Sequence, residues 1–208
     1  MTYTLFGARR SGSCAVECAL AETGAEYACV DIDLASNQQL AEAYSTVNPA
    51  RKIPALRLPS GTLLTESSAI LVTIADRHPE AKLLPAEASD ARAAALRWIA
   101  FCASEIYPLI EIIDYPERFC RAGDGAEALR EAARTRIRQR WPILEKAIAG
   151  KPWILDAGFT VADLYAANLS RWDVGAEWRC ENCPGLDAIA AAIAARPKSG
   201  PVWQRHFG

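Results

Sequence analysis

The stretch GARRSGSCAVECAL, residues 7–20, gathers reactive side chains where an apolar run gives way to a helical pattern. Ser11 and Ser13 each offer a hydroxyl donor, and Cys14 offers a thiol. Donors at the start of a helix suit the stabilisation of a bound anion, because the free N–H groups and the helix dipole act in the same sense. Cys14 and Cys18 fall one turn apart on one helix face, which reads as a pair of core thiols.

A second rich segment is NPARKIPALRLPSGTLLTESSAI, residues 48–70. Ile53-Pro54 stands where a strand begins. With a cis bond there, the Ile53 N–H and C=O face outward and can pair with an extended peptide; a trans proline at a strand start is the alternative. Glu66 and Ser67 lie just before a helix expected to start near Ser68. That helix N-terminus and the serine hydroxyl suit a carboxylate, and Glu66 suits an ammonium, so together they fit an amino-acid end. The other reading is that Glu66 and Ser67 only cap the helix. Cys180 and Cys183 form a C-x-x-C in WRCENCPG. Zinc would need two more ligands, with His78 and His206 the only imidazoles, and a redox pair would normally follow a strand, so these read as ordinary loop thiols.

The elements that must position these groups alternate strand and helix over the first eighty residues: TYTLF, a helix from 14 to 23 stopped at Gly24, YACVDIDL (27–34), QQLAEAYSTV, a hairpin of PALRL and TLL around PSG, and SSAILVTIADRH. The order is β-α-β-α-β-β-α. PEAKLLPAEA, residues 79–88, reads as a linker, and the rest is helical. Leu96, Ile99, Ala103, Ile106 and Ile110 make one apolar stripe, and Ala133, Ile137, Trp141, Leu144 and Ile148 another. Pro108 and Pro142 fall inside the stripes and are expected to kink or interrupt them. GFTVADL carries a helix-start signal in which Thr160 and Asp163 cap reciprocally and Phe159 staples onto Leu164.

Twenty-three basic against twenty-five acidic residues give a net charge of -2, so no global field favours nucleic acid or a membrane surface. The apolar runs are short of a bilayer span, no leader pattern opens the chain, and the seven scattered cysteines suit a reducing compartment; a soluble, cytoplasmic protein is expected. The dispersed glycines form no phosphate cradle, and no metal site, nucleotide or flavin is suggested.

NPARKIPAL, TESSAI and GFTVADL, in that order within this frame, resemble the cytosolic glutathione transferases, of bacterial beta or zeta type, over nearly all of the chain. The resemblance implies a thioredoxin-like domain over 1–80, an all-helical domain over 88–208, and a homodimer. It implies glutathione as co-substrate and a small hydrophobic electrophile as its partner in a detoxification reaction. It further implies that Pro54 is cis, that the Ile53 main chain pairs with the cysteinyl part, that Glu66 and Ser67 hold the γ-glutamyl end, and that Lys52 reaches the glycyl carboxylate. Thr160 and Asp163 would be a folding cap.

Chemistry in that family requires a thiolate, and a free thiol has a pKa of about 8.5; lowering it by two units takes roughly 2.7 kcal/mol. Here the sequence departs from the pattern. The position of the usual serine donor falls on Arg10, and that of the beta-type cysteine on Gly12. Ser11 is therefore the first candidate for the thiol donor and Ser13 the second. A Cys14 mixed disulfide would make the protein a glutathione-dependent reductase or peroxidase, and loss of the donor would leave a non-catalytic binding protein. Arg10 reads as a solvated loop charge or as a cation near the thiolate or an anionic substrate. The second substrate is expected between the domains, with Tyr107 as one wall and Trp172 opposite; each is equally explained as packing.

Overall fold

The computed structural model of the chain describes residues 2–121, 125–172 and 175–208. Contacts group residues 1–84 and 192–208 into one compact unit and 85–191 into another. The division between them falls inside the expected linker, but the last helix belongs with the first unit and not with the helices that precede it.

The first unit contains a thioredoxin-like sheet. β1 (Tyr3–Gly7) pairs in parallel with β2 (Tyr27–Asp31) and antiparallel with β3 (Ala55–Arg57), which pairs antiparallel with β4 (Leu63–Leu64), giving the order β2-β1-β3-β4. α1 (Ser13–Thr23) packs against α3 (Ser67–Arg77) and α10 (Ser199–Phe207). Gly24 stops α1 in a left-handed conformation at φ 74°, as its lack of a Cβ permits. With neighbours on several sides, α1 buries Cys14, Ala15, Val16, Cys18, Ala19 and Leu20. The reading of Cys14 and Cys18 as core thiols therefore agrees with their positions.

Two local expectations differ. The helix expected over QQLAEAYSTV is a 3-10 turn, Gln38–Leu40, followed by the four-residue α2 (Glu42–Ser45), because Ala41 between them is extended. The second strand ends at Asp31 and does not continue to residue 34.

The second unit is helical: α4 (Asp90–Phe101), α5 (Tyr107–Asp114), α6 (Ala126–Ile148), α7 (Val161–Leu169), α8 (Ala176–Asn182) and most of α9 (Pro184–Ala194). A π-turn, Cys102–Ile106, joins α4 to α5 just before Pro108. Proline lacks an N–H and its ring crowds the preceding turn, so a wider turn is a physical solution there. The extra residue shifts the helix phase. Leu96 is 37 % exposed, outside the stripe assigned to it, while Ile99, Ile106 and Ile110 are buried alongside Ala95, Trp98 and Cys102. α6 runs unbroken through Pro142, and all five residues of its expected stripe are buried.

α7 starts as GFTVADL suggests. The Thr160 hydroxyl oxygen accepts from the Ala162 N–H at 3.2 Å, and Asp163 accepts from the Thr160 N–H at 2.8 Å. The other Asp163 oxygen accepts from the Ile154 N–H at 2.8 Å, so one buried carboxylate organises both the helix start and the loop before it. The Phe159 ring lies against Trp153, centroids 4.9 Å apart.

Candidate functional site

β1 delivers the chain to the reactive loop through Gly7. A Cβ at Gly7 would stand 2.4 Å from Ser13 Cβ and 2.6 Å from Ser13 Oγ, so only glycine lets α1 begin this close to the sheet. That approach sets up a small network. The Ser11 hydroxyl donates to the Ala8 carbonyl at 2.7 Å, and the Ser13 hydroxyl donates to the same carbonyl at 2.8 Å. The two hydroxyl oxygens are 2.8 Å apart, Ser13 Oγ accepts from the Ala8 N–H at 3.2 Å, and Ser11 Oγ accepts from the Ser13 N–H at 3.2 Å. Both serines are buried, Ser11 at 7 % exposure and Ser13 at 2 %. Among the described residues, the Gly12 N–H at the helix N-cap has no partner.

Arg10 holds φ at 55°, a left-handed conformation unusual for a residue with a side chain. Its guanidinium is exposed and makes no hydrogen bond among the described residues. Cys14 is 0 % exposed, one step below the loop surface.

The second part of the site is residues 48–54. Asn48, buried, donates from its amide to the Lys52 carbonyl at 2.7 Å and accepts from the Ala50 N–H at 2.9 Å. The Tyr44 hydroxyl also donates to the Lys52 carbonyl, at 3.0 Å. The Ile53-Pro54 peptide is cis. Among the described residues, the Ile53 N–H and carbonyl find no partner, even though β3 begins two residues on. The Lys52 side chain is exposed.

The third part is the start of α3, at Ser67, one residue before the expected start. Glu66 is the N-cap residue, with φ 63° and no side-chain capping bond. The simple capping reading of Glu66 therefore fails. Its exposed carboxylate has no ion-pair or hydrogen-bond partner among the described residues. Ser67 is buried, yet its hydroxyl is unpartnered among the described residues and is not one of the sealed polar atoms. Among the described residues, three polar groups on one unit are thus left without partners: a peptide unit edge, a carboxylate and a helix N-terminus with a hydroxyl. Such groups are a cost unless water or a ligand meets them.

In the second unit, Tyr107 lies against Trp172 with ring centroids 6.0 Å apart and against Tyr165 at 6.3 Å. The two residues named as pocket walls are therefore neighbours within one aromatic cluster. Cys180 is exposed and Cys183 is buried, with its thiol pushed up to about 12 mainly by that burial, the reverse of a reactive pair.

Glu17, His206 and Arg205 were not singled out from sequence, although they bear on the loop directly. The signal for Glu17 was a carboxylate among the apolar residues of α1; His206 had none beyond its rarity. Among the described residues no helix is long and apolar enough to cross a membrane, and no group of three metal-ligating side chains occurs.

The family model for the glutathione S-transferase N-terminal domain matches residues 1–76. Glutathione S-transferase GstA of Escherichia coli O157:H7 is 28% identical over 192 residues, 91% of this chain and 92% of that protein. A sphingomonad glutathione S-transferase solved with glutathione is 36% identical, with a TM-score of 0.79 over 97% of each chain. A glutathione transferase homologue from Sulfitobacter, also solved with bound glutathione, is 25% identical, with a TM-score of 0.89 over 98% of this chain and 97% of that one.

Proposed function

The chain belongs to the cytosolic glutathione transferase family, and from that premise we propose that it binds glutathione and transfers the tripeptide's thiolate to a small hydrophobic electrophile. The observation that carries the reading is Glu66: a carboxylate held at φ 63° beside a helix N-terminus, committed to nothing among the described residues. In this reading Glu66 takes the γ-glutamyl ammonium, and Ser67 with the first N–H groups of α3 takes the neighbouring carboxylate. The Ile53 N–H and carbonyl pair with the cysteinyl main chain, and Lys52 meets the glycyl carboxylate.

Glutathione supplies the nucleophilic sulfur; the protein's task is to favour its anion. Three of the short contacts that Ser11 and Ser13 hold share two hydroxyl protons, so at least one of the three carries none. Turning the Ser11 proton outward gives up one neutral bond of about 0.5–1.5 kcal/mol and gains one to a charged acceptor of about 1.5–3 kcal/mol. That balance favours Ser11 as donor to the thiolate, with Ser13 remaining behind it. The unpartnered Gly12 N–H adds a second donor from the backbone. Arg10 contributes a positive charge at the loop surface. Tyr107 and Trp172 offer the electrophile an aromatic wall. Homodimerisation and a cytoplasmic setting complete the reading.

Burial of Cys14 speaks against a mixed disulfide there. The hydroxyls bound inward to Ala8 support one rival: a protein that binds glutathione without activating it. Calorimetric titration with glutathione tests the binding half. Glu66→Gln is expected to raise Kd about 10- to 150-fold, the equivalent of one hydrogen bond to a charged group. An unchanged Kd would remove Glu66 from the site.

A further inference from the structure

The loop that carries Ser11 and Ser13 is held from outside its own sequence. Arg10 sits in a region of backbone space that is costly for a residue with a Cβ, so an external contact must stabilise it there. That contact comes from α10, in the same compact unit. The Arg10 N–H donates to His206 Nδ1 at 3.2 Å. An N–H can only be met by a bare ring nitrogen, so the ring proton belongs on Nε2, which lies 2.8 Å from Glu17 Oε2. The result is a chain of two hydrogen bonds, Arg10 N–H to imidazole and imidazole N–H to carboxylate.

Each member is fixed. His206 is 4 % exposed and Glu17 5 %, so the imidazole–carboxylate bond is buried, while the Arg10 bond is partly so. The second Glu17 oxygen receives the Arg205 guanidinium and, at 3.3 Å, the Cys29 thiol. Burial alone would raise the Glu17 carboxyl, but the His206 hydrogen bond and the Arg205 charge outweigh it and hold the group below its usual range. Arg9 closes the arrangement from the loop side, its guanidinium donating twice to the Arg205 carbonyl, with Nε at 2.8 Å. A cleft of about 250 Å³ beside the start of the loop is lined by Gly7, Ala8, Arg9, Ser13, Glu17 and His206, among others.

We infer that His206, oriented by Glu17, is a positioning residue that sets the conformation of Arg10 and thereby the placement of the Ser11 and Gly12 donors. This inference rests on the reading that residues 8–13 activate a thiol, but its first tests do not. In the ligand-free protein, long-range proton–nitrogen NMR correlations of His206 should show a proton on Nε2 and none on Nδ1. The opposite tautomer would overturn the inference without any mutation.

Two variants separate the bonds. The side-chain amide of Asn falls near the place of Nδ1, and that of Gln near the place of Nε2. His206→Asn should keep the Arg10 N–H protected from hydrogen exchange, whereas His206→Gln, which keeps only the Glu17 contact, should expose it. With glutathione and a model electrophile, His206→Gln should lower kcat about tenfold with KM for glutathione within about twofold, and His206→Asn should recover most of the loss. Equal Arg10 exchange in wild type and both variants would overturn the positioning role. Arg10 protection that follows the predicted order, in a protein whose bound thiol is not acidified, would leave the positioning role standing and remove the thiol-activation reading instead.

Discussion

The hydroxyls of Ser11 and Ser13 lie 2.8 Å apart and both donate to one carbonyl, that of Ala8. Their duties match: Ser13 Oγ also receives the Ala8 N–H and Ser11 Oγ the Ser13 N–H, each at 3.2 Å. Ser11→Ala and Ser13→Ala should therefore each cost about 1–3 kcal/mol of stability, because each strands a backbone N–H as well as removing a donor. Urea unfolding of the two variants checks this; a variant as stable as wild type would remove its hydroxyl from the network.

Gly7→Ala should be severe for its size. The new methyl would stand 2.4 Å from Ser13 Cβ, and backbone on both sides must move to admit it. A loss of about 1–3 kcal/mol is expected from overpacking, with glutathione affinity falling as the loop shifts. Denaturant midpoints and calorimetry on the same sample would show both effects together.

Asp163 is the second structural carboxylate. It accepts from the Ile154 N–H, the Thr160 N–H and the Thr160 hydroxyl, so Asp163→Ala loses a cap and leaves buried donors unpaired. The expected cost is roughly 2–4 kcal/mol. Turnover per folded molecule should stay near wild type. A variant of normal melting temperature and lost turnover would make Asp163 part of the chemistry.

The same residue sets a pH dependence. Burial pushes the Asp163 carboxyl from an ordinary 3.8 up to about 6, against its hydrogen-bond donors. As pH rises from about 4 to about 6 the unfolded chain gives up this proton first, so ionisation favours the unfolded state and stability falls through that window. Asp163→Asn cannot ionise. Its urea midpoint should lack this fall, whatever its absolute stability.

Glu17 acts with the opposite sign. Its folded carboxyl lies below the ordinary value of 4.5, so its contribution is present above that pH and is lost as pH falls through the lower folded value. Protonation removes the acceptor of both His206 and Arg205. Hydrogen exchange in α10 should accelerate in acid before exchange in the α6 core does; simultaneous exposure of the two would contradict a local role for Glu17.

How much of this was legible in the sequence depended on distance along the chain. The β-α-β-α-β-β-α order, the Gly24 stop, the α6 stripe and the Thr160–Asp163 cap all depend on residues within a few turns of one another, and pattern reports such relations well. Leu96 was misplaced because a π-turn adds a residue and shifts the helical phase, which periodicity at 3.6 cannot anticipate. α2 shortened because Ala41 is extended, a choice made by the loop around it. Glu66 was legible as a residue type, but not the φ of 63° that leaves its carboxylate uncommitted. The Glu17–His206 contact spans 189 residues, and no local rule reaches across that separation.

The central claim is that this protein makes a thiolate of bound glutathione, and ultraviolet absorbance of the thiolate, followed across pH in the saturated complex, tests it most directly. Free thiols titrate near a pKa of about 8.5, and the bound thiol is expected roughly two units lower, equivalent to about 2.7 kcal/mol of preference for the anion. Ser11→Ala should return half or more of that shift, since one hydroxyl donor to a charged group supplies about 1.5–3 kcal/mol. A bound thiol that titrates like the free one in wild type would contradict the claim, and the protein would then be one that binds glutathione without activating it.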